Sequence, residues 1–303
     1  MLAAGVLLGG CKIQDDASFR RATADRTSAP TIGGAASSAA SAAADAATIE
    51  GAIPEGAMGA SVRRGRAILL ATRDSLPRNA GNGLRCVSCH LDEGRRPFAM
   101  PLTGVAARFP QYRARGDRVE RLEDKVNDCL RRSLGGTPLA FESAAMRDIV
   151  AYLAHLSRGV PHGTAVAGQS VDSIRGAVPG NAARGRTVYA ANCVRCHGAN
   201  GAKGPSGAHG ANGANGQGTS LAPPVWGPRS FTVAAGMARW RVLAAFVRHN
   251  MPNDRRESLT DQEALDVAAW VLSQRRPDFR GKERDYPRGN APPDLAYRTR
   301  PGK

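Results

Sequence analysis

Two pentapeptides in this chain carry the chemistry most directly: Cys86-Val87-Ser88-Cys89-His90 and Cys193-Val194-Arg195-Cys196-His197. Two thiols three residues apart can reach the two vinyl groups of one haem, and the adjacent imidazole then lies beneath the iron as its proximal ligand. Cys86, Cys89, Cys193 and Cys196 are therefore read as attachment points of two covalently bound haem c groups, with His90 and His197 as axial ligands. A zinc site would need two further ligands per motif, and a redox dithiol has no use for a following His twice over. Covalent haem also implies export, because in bacteria the attachment is made outside the cytoplasm.

Each iron has a position opposite its His. In the second half the candidate is Met251, in Asn250-Met251-Pro252 after the helix-like run Leu243 to His249. Met237 competes and His249 is a weaker alternative. A thioether there raises the reduction potential and suits an electron exit. The first half offers no such Met: Met100-Pro101 stands only ten residues beyond His90, and Met146 falls in a closing helix. What stands at the right place is Cys129, in Asn127-Asp128-Cys129-Leu130-Arg131-Arg132-Ser133. A lone Cys is often a small buried hydrophobe. An exported chain rarely keeps a spare thiol, however, and this one sits amid Arg115, Arg118, Arg121, Lys125, Arg131 and Arg132, a setting that favours thiolate. Thiolate on iron lowers the potential, the opposite of Met251.

The elements that must position these groups repeat once. The first unit opens with Arg64-Gly65-Arg66 and closes with Asp148-Ile149-Val150-Ala151-Tyr152-Leu153; the second opens with Arg184-Gly185-Arg186 and closes with Asp266-Val267-Ala268-Ala269-Trp270-Val271. Both closing segments have apolar residues at helical spacing, and Pro161 and Pro277 are expected to stop them. Strand signals are nearly absent. The layout resembles class I cytochrome c domains. That resemblance implies an all-α fold of two such domains in tandem with long irregular loops, the first and last helix of each crossing where Gly65 meets Tyr152 and Gly185 meets Trp270.

The expected organisation is a signal with lipobox over 1–11, an Ala/Ser-rich tether over 12–57 and a first domain over 58–163. A linker over 164–178, a second domain over 179–278 and a basic irregular tail over 279–303 follow. Cys11 after Leu7-Leu8-Gly9-Gly10 reads as a possible lipid anchor, with an ordinary signal and an incidental Cys as the alternative; the expected location is the periplasm. Within the second domain, His197-Gly198-Ala199-Asn200-Gly201-Ala202 recurs as His209 to Ala214, a slipped duplication that accounts for His209 without ligation. Composition agrees. Over 303 residues, 42 Lys plus Arg against 26 Asp plus Glu leave +16, and aromatics are only 5%, so haem must supply much of the core. No window is long and apolar enough for a membrane span. The charge alone would allow DNA binding, but no recognition motif accompanies it.

From about Gly59 to Asp278 the chain resembles the dihaem thiosulfate dehydrogenases, tetrathionate-forming cytochromes c, some of which act as tetrathionate reductases. The likeness rests on Phe109-Pro110-Gln111-Tyr112-Arg113-Ala114-Arg115, on Asn127 to Gly136, on Pro223-Pro224-Val225-Trp226-Gly227, on Ser230-Phe231 with Gly236-Met237, and on Asn250-Met251-Pro252. It implies that Cys129 is both axial ligand and reactive thiol of a catalytic haem and that Met251 ligates an electron-transfer haem; with thiosulfate as substrate, Arg115 and Lys125 are expected to hold sulfonate oxygens and Ser133 to donate a hydrogen bond. Some relatives carry Lys where Asn250 stands and can exchange it for Met as ligand; Asn250 implies no such exchange. The family usually has Arg four residues before the ligand Cys. Lys125 keeps the charge but gives up bidentate recognition. The implied partners are thiosulfate, tetrathionate and an external acceptor such as a small cytochrome c. Two other readings stand beside this one: a non-catalytic dihaem electron carrier, and a sulfur-oxidation cytochrome that conjugates thiosulfate to a carrier protein.

Overall fold

The computed structural model describes residues 53–169, 174, 180–201 and 222–300. Cys11, the tether up to residue 52 and the Gly-rich insert with His209 lie outside them. The longer helices are α1 (Gly56–Leu70), α2 (Leu122–Arg132), α3 (Ala144–His155), α4 (Ala182–Asn192), α5 (Trp240–Asn250) and α6 (Asp261–Ser273). The helix α1 starts two residues inside the stretch expected to be tether. No described helix is long and apolar enough to cross a membrane.

In each unit the first and last helix cross on a glycine. A Cβ at Gly65 would lie 1.9 Å from the Asp148 carbonyl oxygen and 2.9 Å from Tyr152 Cβ, and one at Gly185 would lie 1.8 Å from the Asp266 carbonyl oxygen and 3.0 Å from Trp270 Cβ. Only a residue without a side chain lets the two backbones approach so closely. The neighbouring Arg locks each crossing with a forked ion pair. Arg64 meets Asp148 at 2.8 Å through both Nε and Nη2, and Arg184 meets Asp266 at 2.7 and 3.0 Å. The repeated Arg-Gly and Asp-x-x-x-aromatic spacing is thus one packing device used twice.

Side-chain caps start the later helices. The Ser143 hydroxyl accepts from Met146 N, Asn181 Oδ1 accepts from Arg184 N, and Thr260 with Glu263 forms a reciprocal capping box. Both closing helices end before the prolines expected to stop them, α3 at His155 and α6 at Ser273, so Pro161 and Pro277 are not the terminators. A further difference is a small antiparallel hairpin, β1 (Gln111–Arg113) with β2 (Arg118–Glu120), in which Tyr112 stands opposite Val119. Strands of three residues are too short to show alternation in sequence.

The two units share one apolar core, running from Val62, Leu69 and Tyr152 to Phe231, Phe246 and Val271. Polar contacts join them as well. Asn82 Nδ2 donates to the carbonyls of Ser133 and Ser230, the Thr232 hydroxyl donates to the Arg132 carbonyl, and Asn250 Nδ2 donates to the Phe98 carbonyl at 3.1 Å. Phe98 also stacks on His249 with ring centroids 4.4 Å apart.

Candidate active site and haem cavities

In the first motif, Cys86 to Ser88 form a single tight turn that follows Thr72, whose hydroxyl accepts from Cys86 N at 3.0 Å. His90 Nδ1 donates to the Met100 carbonyl at 2.5 Å, which leaves Nε2 as its free nitrogen. Met100 thus contributes its backbone here. Burial lowers the His90 pKa against that hydrogen bond, and the Lys125 charge adds to the lowering. Burial pushes the Cys86 thiol up to about 11 and the Cys89 thiol up to about 12, with Cys129 close enough to raise both further. Residues forty positions apart in sequence therefore sit within electrostatic reach.

Cys129 lies on α2, one turn beyond Lys125 and one turn before Ser133, so the three share a face. All three line a cavity of about 450 Å³, and Arg115 reaches it from the turn between β1 and β2. The structure brings Cys129, Arg115, Lys125 and Ser133 together. It does not bring Arg118 or Arg121, whose side chains are more than half exposed and pair with Glu120 and Asp124 at the surface.

The cations in the cavity are not equivalent. Arg132 is consumed: it binds Asp128 at 2.5 Å, forks onto Asp285 at 2.7 and 2.8 Å, and lies 4.4 Å over the Phe279 ring. Arg115 is held by the Ala234 carbonyl at 3.0 Å and by the Tyr286 hydroxyl at 3.4 Å, with Asp128 at 3.8 Å. Burial alone would raise the Asp128 pKa, yet Arg132, Lys125 and Arg115 together hold it below the ordinary value. Among the described residues, neither Lys125 nor Arg113 shows a side-chain hydrogen bond or close ion pair, so their donors face the cavity uncommitted.

The second motif lines a cavity of about 460 Å³ with Cys193, Cys196, His197 and the apolar Leu243, Phe246, Val247, Val267 and Val271. His197 Nδ1 donates to the Pro223 carbonyl at 2.9 Å, repeating the arrangement at His90. Burial lowers its pKa and raises that of Cys193 to about 11. Met251 and Met237 both line this cavity, so the geometry keeps both as candidates; His249 is instead stacked on Phe98. Asn250 is fully buried and its amide is spent on the Phe98 and Phe246 carbonyls. Val87 and Cys89 of the first motif and the adjacent Leu91 border the same cavity, so the two attachment sites adjoin.

Comparison with known proteins decides the family. Residues 77–162 match the model described as SoxA/TsdA, cytochrome c domain, and residues 182–275 match cytochrome c. The thiosulfate dehydrogenase of Allochromatium vinosum is 41% identical over 231 residues, covering 75% of this chain and 82% of that protein. This chain belongs to the thiosulfate dehydrogenase family. The relative from Psychrobacter arcticus is 35% identical over 81% of this chain and 72% of its own. The solved thiosulfate dehydrogenase (TsdBA) from Marichromatium purpuratum, in its "as isolated" form, superposes with a TM-score of 0.70 at 31% identity over 83% of this chain. The chain spans 55% of that longer protein.

As a member of this family the chain is a dihaem cytochrome c oxidoreductase, and the residues present fit two haems. Each motif offers paired thiols and an imidazole whose Nδ1 is engaged and whose Nε2 is free, and the second stands in a cavity with largely apolar walls. Sequence reasoning missed several residues of the first cavity: Gln169, Arg239 and Tyr286 all line it. Arg239 is anchored by the buried Asp294 at 2.6 Å, and Tyr286 N donates to the Arg115 carbonyl at 2.9 Å. The segment 279–300, expected to be an irregular tail, thus packs on the site through Asp285, Tyr286 and Asp294. No motif or periodicity marks these residues.

Proposed function

We propose that this protein oxidises two thiosulfates to one tetrathionate, or runs the reverse reaction, in the Cys129 cavity and passes the electrons on through its second haem. The observation that carries the reading is the convergence of Cys129, Arg115, Lys125 and Ser133 on one cavity. The names of the relatives supply the substrate class. Cys86, Cys89, His90 and Cys129 would hold the first haem, and Cys193, Cys196, His197 and Met251 the second. When bound, the haems supply one-electron acceptors for the two electrons released.

The chain's own groups do the rest. Lys125 and Arg115 draw in the dianion and offset the repulsion between two such anions, while Ser133 offers a hydrogen bond to a sulfonate oxygen. The Cys129 thiolate and the sulfane sulfur of one thiosulfate join, with loss of two electrons, as Cys–S–S–SO₃⁻. The sulfane sulfur of the second thiosulfate then attacks the sulfur bonded to SO₃, the bond to Cys129 breaks, and tetrathionate leaves with the thiolate restored. The adjoining cavities support electron passage from the first site to the second, and thence to a small cytochrome c or similar carrier. The same reading puts the protein in the periplasm, with Cys11 as a lipid anchor to the membrane.

The test is thiosulfate oxidation by purified holoprotein with ferricyanide as acceptor, run beside Cys129→Gly. Tetrathionate from the wild type and none from the variant, with both haems still attached, is the expected result. A silent wild type whose haems reduce and reoxidise normally would leave an electron carrier instead.

A further inference from the structure

Tetrathionate carries two sulfonates, and the reaction that makes it must hold the parts of two thiosulfates together. The donors on α2 account for one of them. Lys125 and Ser133 stand a turn either side of Cys129, so they serve the anion whose sulfur joins that thiol. Another wall of the same cavity comes from residues remote in sequence: Arg239, at the start of α5, and Tyr286, in the C-terminal segment. Arg239 is anchored with donors to spare. Its Nε and Nη2 both donate to Asp294 Oδ1, at 2.9 and 2.6 Å, while its Nη1 makes no hydrogen bond among the described residues. Asp294 is only 2% exposed. A carboxylate is seldom buried so completely unless it is paired, and the partner it has among the described residues is Arg239.

Tyr286 is fixed as firmly. It is a bulky residue in the left-handed region, at φ 57°, where L side chains rarely sit. Such strain persists where the surroundings over-determine it, and it clusters at functional sites. Tyr286 N donates to the Arg115 carbonyl at 2.9 Å, and the Tyr286 hydroxyl oxygen accepts from Arg115 Nε at 3.4 Å. The hydroxyl proton has no acceptor among the described residues, which leaves it to an anion in the cavity. Arg115 stands between the two sets of donors, bonded to Tyr286 and 3.8 Å from Asp128 on α2. We propose that Arg239 and Tyr286 form a second sulfonate subsite. It seats the second thiosulfate beside the Cys129 adduct and, in the reverse direction, the far sulfonate of tetrathionate. The subsite rests on the thiosulfate reading above and adds to it where the second anion lies.

Two readouts separate the subsites. Ferric holoprotein mixed rapidly with thiosulfate, without external acceptor, reports the first anion through haem reduction and through the intact mass of the Cys129 adduct. Tetrathionate release reports the second. Removing Arg239 alone would strand the buried Asp294 carboxylate, so Arg239→Gln is combined with Asp294→Asn. In that variant adduct formation should stay close to the wild-type rate. The thiosulfate concentration for half-maximal tetrathionate release should rise about tenfold to about a hundredfold, the loss expected for a charged hydrogen bond, and the adduct should accumulate. Tyr286→Phe keeps the ring and the backbone bonds and should give the same split, at about tenfold. Adduct formation and release impaired alike in both variants would overturn the subsite, because a merely structural role moves both. Unchanged release would do so too, as would a split given by Arg113→Gln and by neither of these variants, which would put the second anion on β1. A wild type that neither reduces its haems nor yields tetrathionate would overturn the thiosulfate reading itself, and the subsite with it.

Discussion

Lys125 is the position at which charge and catalysis are most cleanly separable. It stands one helical turn before Cys129, and no described partner competes for its ammonium donors. A hydrogen bond from a charged donor is worth about 1.5–3 kcal/mol. At about 1.4 kcal/mol per decade, Lys125→Ala should raise the KM for thiosulfate by about tenfold to about a hundredfold. The turnover number should change far less, since the sulfur chemistry belongs to Cys129. Lys125→Arg should bind the anion at least as tightly as the wild type, because a planar fork matches two sulfonate oxygens. Arg132 is the control. It is nearer in sequence to Ser133, but its charge is already met by Asp128 and Asp285. Removing it strands the buried Asp285 carboxylate, a loss of about 3–5 kcal/mol in stability rather than in KM. The assay is steady-state ferricyanide reduction at low ionic strength, with parallel denaturant melts. A KM for Lys125→Ala within twofold of wild type would refute the argument, as would Arg132→Gln raising KM as much as Lys125→Ala does.

Three further outcomes follow from the geometry. Met251→Ala should abolish the sulfur-to-iron charge-transfer band of the second haem and lower its midpoint, while Met237→Ala should leave the band intact; the reverse pattern would make Met237 the ligand. Gly185→Ala would press a Cβ to 1.8 Å from the Asp266 carbonyl oxygen, so the crossing must part. A cost of about 1–3 kcal/mol is expected in denaturant titration, and an unchanged midpoint would show that the crossing is soft. The hydrogen bonds from Arg64 hold the Asp148 pKa below the ordinary value, against burial, with Ser61 assisting. A carboxylate depressed in the fold contributes stability above its unfolded pKa of about 3.9 and loses it as the pH falls through the lower folded value. Asp148→Asn should therefore melt lower than the wild type at neutral and alkaline pH and converge on it as the pH falls through the folded value, measured by melting temperature against pH; a gap that persists unchanged into acid would refute the assignment.

What the sequence made legible is what local chemistry dictates. The spacing of Cys86, Cys89 and His90 is set by the dimensions of a haem, and one crossing geometry requires a small residue opposite an aromatic four positions beyond an Asp. Both signals occur twice, and each occurrence supports the other. The cavity around Cys129 was legible along α2, where Lys125, Cys129 and Ser133 share a face because helical periodicity puts them there, and at Arg115 beyond it. Its other walls come from afar: Tyr286 reaches Arg115 across 171 positions, and Asp285 reaches Arg132 across 153. Such contacts leave no trace in spacing, and the segment that supplies them has neither periodicity nor a bulky apolar run. The net charge shows the same division. Composition reports +16 as a single quantity, and the run of cations before Cys129 looks uniform in sequence. In the fold, Arg132 is neutralised by two carboxylates, Arg118 and Arg121 are spent at the surface, Arg276 donates to the Val271 carbonyl, and Lys125 and Arg113 face the cavity. Which cation meets an anion is decided by where Asp128, Asp285 and Asp294 end up, and that is a property of tertiary packing that no count of residues contains.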